Sequence, residues 1–143
     1  MLVLIVEDDP GDALLMERAV TEVGGPGTRV KVFDLGEAAV AYLHALSGDQ
    51  VSQDGLPDLL LVDLGLPRMS GFEFMEWVRG REVLREIPVV VISAFHNLDA
   101  DLARKLGASA YFKKPEDVGT YVKILRQALD ARSTDPDGEA LEG

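Results

Sequence analysis

The sequence predicts a doubly wound α/β domain, in which helices cover both faces of one parallel sheet. Five short apolar runs alternate with amphipathic stretches along the chain. Runs such as residues 59–62 and 89–92 are apolar at every position, which is typical of strands buried on both faces. A helix between successive strands requires crossover connections and therefore a parallel sheet. We expect five strands and five helices in one domain.

The first strand is expected at Leu2–Val6, and the first helix begins at the segment that follows it. Asp9 can cap that helix, and Pro10 fits its first helical position. Asp12 adds a negative charge to the first turn, where the helix dipole favours one. The glycine-rich residues 24–27 end the helix.

The remaining elements follow the same two patterns. Strands are expected at residues 30–33, 59–62, 89–92 and 110–112, and helices at 37–46, 72–79, 99–106 and 117–131. The polar, turn-rich residues 47–57 are expected to form a loop. Residues 1–131 are predicted to be the folded domain, and 132–143 an acidic, flexible C-terminal tail.

Composition excludes several classes of function. The 143 residues include 14 basic and 25 acidic side chains, a net charge of −11 that argues against nucleic-acid binding. The absence of cysteine excludes disulfides and thiolate zinc sites. No apolar run approaches the ~20 residues of a membrane span, and Met1 is followed by no basic leader. We expect a cytoplasmic protein that binds neither membranes nor nucleic acid.

Four of the predicted strands lead into polar residues at their carboxyl ends, where doubly wound sheets carry their chemistry. These residues are Glu7 and Asp8, Asp63, Ser93, and Lys114. If the first and third strands are neighbours, their carboxylates crowd together, and like charges at that spacing either raise a pKa or recruit a cation. Oxygen ligands suit Mg²⁺, and a lysine with a hydroxyl suits phosphoryl oxygens. The pattern predicts a magnesium-dependent phosphoryl site.

Each of these signals has an ordinary structural explanation when taken alone. An acidic triplet before a helix is often a cap, an aspartate after a strand often starts a turn, and a lysine before proline is usually solvated. Their joint arrival at successive strand ends is what favours a site. The sequence has no GxGxxG, GxxxxGK[ST], HExxH or GxSxG motif, which argues against nucleotide loops, zinc peptidases and serine hydrolases.

The motifs resemble the receiver domain of two-component response regulators. The resemblance covers most of the chain and lies in four segments: IVEDDP from Ile5, LVDLGLP from Leu61 with Gly71, VISA from Val91, and LGASAYFKKP from Leu106. It implies a flavodoxin-like receiver fold with strand order 2-1-3-4-5. The length and the long 47–57 loop are similar to those of stand-alone regulators paired with phytochrome-like histidine kinases.

The resemblance also implies a role for each site residue. Asp63 is the phosphoacceptor. The residues that contact the phosphoryl group or respond to it are Lys114, Ser93, Ala94 and Tyr111, with Ser93 and Tyr111 forming the switch. Asp8, Asp63 and the main-chain carbonyl of Gly65 bind Mg²⁺ directly, and Glu7 binds it through a water molecule.

The expected function is that of a phosphoacceptor signalling protein, not a classical enzyme. Its partner is a sensor histidine kinase, and its output is a protein contact. One alternative is a metal-dependent phosphohydrolase with an aspartyl-phosphate intermediate. That class needs an acid two residues after the nucleophile, where this chain has Gly65. The other alternative is a phosphorylation-independent scaffold, against which the complete set of site residues argues.

The last predicted helix carries two apolar stripes. One is the expected core face, and the other predicts a homodimer interface if it is exposed. The alternative is that both stripes belong to the core. The first stripe is Val118, Val122, Leu125 and Leu129, and the second is Tyr121, Ile124 and Ala128.

Two positions predict a long-lived phosphorylated state. In receivers, the residues two after the nucleophile and two after the switch hydroxyl flank the path of the hydrolytic water. Here they are Gly65 and Phe95, and neither can hold a water by a side-chain hydrogen bond. His96 is the neighbouring group that could do so.

Overall fold

The computed structural model describes residues 1–46, 55–94 and 100–133; for residues 100 and 131–133 it describes the backbone only. It confirms the predicted fold class and the strand order β2-β1-β3-β4-β5, with every neighbouring pair parallel. The strands are β1 (Leu2–Val6), β2 (Arg29–Phe33), β3 (Leu59–Asp63), β4 (Val89–Ser93) and β5 (Ala110–Lys113).

The described residues also form five α-helices, whose ends lie within two residues of the predicted ones wherever both fall in the described ranges. A 3₁₀ helix at Glu82–Leu84, between α3 and β4, was not predicted. None of these helices is long and apolar enough to cross a membrane. The α-helices are α1 (Pro10–Gly24), α2 (Gly36–Leu46), α3 (Gly71–Arg79), α4 (Ala100–Lys105) and α5 (Val118–Ser133).

Some predicted features fall outside the described residues. Most of the 47–57 loop, Phe95, His96, the predicted helix start at Asp99 and the tail from residue 134 onward are among them. Helix α5 continues through Ser133. The domain boundary after residue 131 therefore stays a prediction.

The start of α1 confirms the capping predicted from the sequence. Asp9 has extended backbone angles, and its Oδ1 accepts a hydrogen bond from the Gly11 N–H at 2.9 Å. Pro10 occupies the first helical position, where a missing N–H costs nothing. Because only three residues separate Val6 from this helix, the acids that follow β1 are held between a strand end and a helix start.

Each central strand buries both faces, as the apolar runs predict. In β1, Val3 and Ile5 face the layer formed by α1 and α5, whereas Leu4 and Val6 face the layer formed by α2, α3 and α4. The core therefore lies on both sides of the sheet. This packing on both faces fixes the position of the last residue of each central strand along the edge of the sheet.

The prediction of an exposed second stripe on α5 is wrong. Tyr121 is 0% exposed, Ile124 8% and Ala128 5%, and all three belong to the same core cluster as Val122 and Leu125. The physical reason is that α5 packs against α1 as well as against the sheet. The buried part of its surface is therefore wide enough to include both apolar stripes. These side chains are not free to form a dimer interface.

The two edge strands differ from the central ones. In β2, Arg29, Lys31 and Val32 are exposed, and the Lys31 ammonium lies 5.5 Å from the centre of the Tyr42 ring. The other edge strand, β5, ends at the exposed Lys113. Basic side chains therefore stand on both edges of the sheet.

Candidate functional site

The carboxyl ends of β1, β3, β4 and β5 place the predicted polar residues along one edge of the sheet. Strand β1 lies beside β3, as the sequence argument required, with Val6 opposite Val62. Asp63 is the last residue of β3 and Ser93 the last residue of β4. Lys114 follows β5 directly. The topology thus brings the acids, the hydroxyl and the ammonium to one region.

Three carboxylates form a cluster at this edge. Glu7, Asp8 and Asp63 each place one oxygen within 4.8 Å of the oxygens of the other two. Glu7 is 1% exposed and Asp63 4%, whereas Asp8 is exposed to solvent. Two buried oxygen donors beside an exposed one make a site that a hard divalent cation can enter from solvent.

Glu7 is held by its own neighbours along the chain. Its Oε2 accepts a hydrogen bond from the Asp9 N–H at 3.0 Å. Its Oε1 forms an ion pair with Lys114 at 3.0 Å that lacks hydrogen-bond geometry. Burial raises the pKa of Glu7 to about 7; the hydrogen bond from Asp9 opposes this rise, and the negative charge of Asp63 adds to it. Oε1 is therefore a buried oxygen with a lone pair to offer a cation.

Lys114 is the positive charge at the centre of the cluster. Its Nζ lies 3.0 Å from Glu7 Oε1, 3.0 Å from Asp12 Oδ2 and 3.4 Å from Asp63 Oδ2. Burial alone would lower the pKa of the Lys114 ammonium, but the attraction of these nearby carboxylates outweighs burial and raises it. Lys114 therefore stays protonated at neutral pH.

Asp12 is the member of this cluster that sequence reasoning missed. From the sequence, Asp12 is expected only to add a negative charge to the first turn of α1. In the structure its carboxylate reaches Lys114 as closely as Glu7 does, and its side chain is 23% exposed. The available signal was its position three residues after the cap Asp9, since the first turn of α1 lies against the strand ends.

The main chain around Asp63 is tightly constrained. Asp63 Oδ1 accepts a hydrogen bond from the Gly65 N–H at 3.1 Å. A Cβ built on Gly65 would lie 3.8 and 3.9 Å from the two carboxylate oxygens, so Gly65 borders the acceptor carboxylate directly. The Gly71 N–H donates to the Leu64 carbonyl at 3.2 Å, which closes the loop that follows β3.

The remaining predicted residues flank the cluster. Ser93 is fully buried, and its carbonyl accepts a hydrogen bond from the Lys114 N–H at 2.7 Å, which ties the end of β4 to the end of β5. Ala94 is exposed beside it. Tyr111 is 1% exposed in the core layer formed with α3 and α4, and it lies opposite Val91.

Tyr121, which the sequence predicts only as a member of an apolar stripe, also interacts electrostatically with this cluster. Its ring is buried in the layer of α1 and α5, and its hydroxyl has no hydrogen-bond partner among the described residues. Burial raises the pKa of Tyr121, and the charge on Asp12 acts in the same direction. The hydroxyl is therefore within electrostatic reach of Asp12 and Lys114.

Comparison with known protein families matches residues 3–126 to the response regulator receiver domain. A curated relative, the polar-differentiation response regulator DivK of Brucella ovis, is 32% identical over 120 residues; the match covers 80% of this chain and 98% of DivK. The chain belongs to the receiver domain family of response regulators. The family resemblance stated from the motifs is thereby confirmed.

Solved structures agree with this assignment. The phosphorylated cyanobacterial phytochrome response regulator RcpA has a TM-score of 0.75 and 27% identity, and the match covers 91% of each chain. The Mn²⁺-bound form of response regulator Rcp1 has a TM-score of 0.71 and 25% identity over 99% of each chain. The bacteriophytochrome response regulator AtBRR is 31% identical with a TM-score of 0.66, and the match covers 87% of this chain and 89% of that one.

Proposed function

We propose that this receiver domain is a phosphoacceptor switch that takes a phosphoryl group onto Asp63. The single observation that carries the proposal is the position of the Asp63 carboxylate. It is buried at the end of β3, grouped with Glu7 and Asp8 and 3.4 Å from the Lys114 ammonium. An oxygen nucleophile between a set of oxygen ligands and a fixed positive charge is what phosphoryl transfer requires of a protein.

The donor in this proposal is a phosphohistidine on a sensor histidine kinase. One Asp63 oxygen attacks phosphorus, the phosphorus–nitrogen bond breaks, and the imidazole leaves with that electron pair. The product is an acyl phosphate on Asp63 and an unmodified histidine on the kinase. No oxidant and no further reactant are needed.

The residues present fit a bound Mg²⁺. Glu7, Asp8 and Asp63 offer three carboxylate oxygens close together, and a cation there would compete with the Lys114 ammonium, which lies 3.0 Å from Glu7 Oε1. The Gly65 carbonyl is the fourth protein ligand in this proposal. When bound, Mg²⁺ neutralises charge that develops on the phosphoryl oxygens.

The other side chains bind and signal the modification. Lys114 binds a phosphoryl oxygen, since it stays protonated beside Asp63. Ser93 and the Ala94 main chain bind further phosphoryl oxygens when the end of β4 moves toward them. Tyr111 responds to that movement by a change in its packing within the core layer that contains it.

The proposed partner is a histidine kinase of the phytochrome type, in the cytoplasm. It is supported by the likeness to the cyanobacterial phytochrome response regulator RcpA and the bacteriophytochrome response regulator AtBRR. The proposed output is a phosphorylation-dependent contact with another protein.

A homodimer through the last helix would have to use outward-facing side chains of α5, such as Lys123 and Arg126, because Tyr121 and Ile124 are buried. Light scattering at tens of micromolar compares wild type with Lys123→Glu/Arg126→Glu. A wild-type dimer that the double variant dissociates supports that interface, and a monomeric wild type contradicts it.

The two alternatives are weaker on specific grounds. A phosphohydrolase would need an acid at position 65 to protonate a leaving group, and a glycine has no side chain to do so. A scaffold would have no use for a buried carboxylate cluster around an ammonium, since buried charges cost free energy.

The experiment that tests the proposal is intact-mass measurement after incubation with acetyl phosphate and Mg²⁺. We expect wild type to gain the mass of one phosphoryl group and Asp63→Asn to gain none. The matched control is Asp101→Asn, which removes an exposed aspartate of α4 that pairs only with Arg104 among the described residues. Full phosphorylation of Asp63→Asn would contradict the assignment.

A further inference from the structure

We propose that Asp12 is a positioning residue for Lys114, and that it keeps part of the ammonium charge away from the cation-binding carboxylates. The inference deepens the proposed function and rests on it. Asp12 Oδ2 is 3.0 Å from Lys114 Nζ, as close as Glu7 Oε1 and closer than Asp63 Oδ2 at 3.4 Å.

The fold makes this contact persistent. Asp12 is in the first turn of α1, whose start is fixed by the Asp9 cap and by Pro10. The side chains are only partly exposed, 23% for Asp12 and 16% for Lys114, so solvent and salt screen their attraction less than they screen a surface pair.

The three acids around the Lys114 ammonium have different roles, and Asp12 differs from the other two. An ammonium has three N–H groups, and three acids surround this one. Glu7 and Asp63 are also proposed cation ligands, whereas Asp12 is outside the group of acids that can share a cation. Without Asp12, the charge of Lys114 falls on Glu7 and Asp63 alone and competes there with a divalent ion.

Tyr121 supports this placement from the other side. Its buried hydroxyl lies on α5, within electrostatic reach of both Asp12 and Lys114. The ring is fully buried in the core layer that includes α1 and α5, and a buried, low-dielectric neighbour strengthens the attraction between two partly buried charges.

A double-mutant cycle on cation affinity tests the proposal. Calorimetric titration of the full chain with Mn²⁺ alone compares wild type, Asp12→Asn, Lys114→Ala and the double variant. We expect Asp12→Asn to weaken Mn²⁺ binding roughly tenfold in the wild-type background. In the Lys114→Ala background we expect less than about a threefold loss, because no ammonium remains to be positioned.

The matched control is Glu17→Gln, which removes an exposed charge from the same helix without touching the cluster. An equal loss in both backgrounds would overturn the proposal in favour of a direct effect of Asp12 on the ion. An unchanged affinity in Asp12→Asn, or the same loss in Glu17→Gln, would overturn it too. If wild type binds no Mn²⁺, or if Asp63→Asn leaves its binding unchanged, the metal site itself is wrong and both proposals fall.

Discussion

Gly71 lies directly against the main chain of Asp63: a Cβ built on Gly71 would be 2.6 Å from the Asp63 carbonyl oxygen. It would also be 2.6 Å from the Leu64 Cα, and neither main-chain atom can move without moving the end of β3. The glycine is therefore what allows the loop after the phosphoacceptor to close against its own strand.

From this contact we predict that Gly71→Ala destabilises the domain by about 1–3 kcal/mol, as overpacked sites do. It also lowers the yield of phosphorylated protein, because the carboxylate shifts with its backbone. Urea unfolding and intact-mass measurement check the two effects. The control is Gly119→Ala, whose Cβ would meet only Asp117 Oδ1 at 3.7 Å and which sits in α5. That change should stabilise slightly.

Asp63→Asn should leave the free energy of unfolding of the metal-free protein level or raise it by up to about 1 kcal/mol. The substitution removes one of several crowded negative charges, and Lys114 keeps its closer partners Glu7 and Asp12. Thermal and urea unfolding in the presence of a chelator measure this. A clear loss of stability would count against a repulsive acid cluster at Asp63.

Glu7 should make the metal-free protein less stable as the pH rises. Its pKa is about 7 in the folded chain, against an ordinary value of 4.5. Between these values the folded state binds more protons than the unfolded state, so the free energy of unfolding falls with increasing pH. The size is on the order of 2–3 kcal/mol.

Glu7→Gln should remove this dependence, which urea unfolding at several pH values between about 4.5 and 7 can measure. The control is Glu76→Gln, which removes an exposed carboxylate from α3. Glu76 is preferred to Glu73 because Glu73 takes part in the capping box of that helix. A constant difference between wild type and Glu7→Gln across that range would show that Glu7 ionises normally.

Tyr121→Phe should stabilise the domain by about 1 kcal/mol, since it removes a buried hydroxyl that has no hydrogen-bond partner among the described residues. Urea unfolding with an unchanged slope is the measurement. A loss of stability would mean that the hydroxyl is hydrogen-bonded in solution, for example to a buried water molecule.

The acyl phosphate should be long-lived in wild type and shorter-lived in Gly65→Asn. A side chain at position 65 would begin 3.8 Å from the Asp63 carboxylate, where an amide can hold the attacking water. Following phosphate loss by intact mass after the donor is removed compares the two, with Gly65→Ala as the apolar control. Equal decay in all three would disprove the argument from position 65.

The sequence predicts the placement of the candidate site residues that lie at strand ends. Asp63 and Ser93 end apolar runs, and a parallel sheet delivers such residues to one edge whatever the helices do. The role of Asp12 could not be predicted in this way, because Asp12 lies in a helix and not at a strand end. Its contact with Lys114 depends on how α1 is rotated about its own axis, which tertiary packing sets.

The same limit explains the error on α5. Sequence periodicity identifies which positions are apolar, but it does not say how wide an arc of the helix is covered. Ile124 and Ala128 are buried because α1 lies beside α5 over the sheet. The 3₁₀ helix at Glu82–Leu84 is only three residues long and leaves no periodic pattern to detect.

The lysines on the two edge strands have a consequence for how the protein behaves at high concentration. Unpaired main-chain N–H and C=O groups on an edge strand can pair with a strand of another molecule. The most apolar strands of this protein would add to such an edge most readily. A charged Lys31 on β2 and Lys113 on β5 oppose such addition, because a second copy would bring its own like charge against them. Replacing both with valine should turn the sheet edges into sites of aggregation without altering the phosphoacceptor edge.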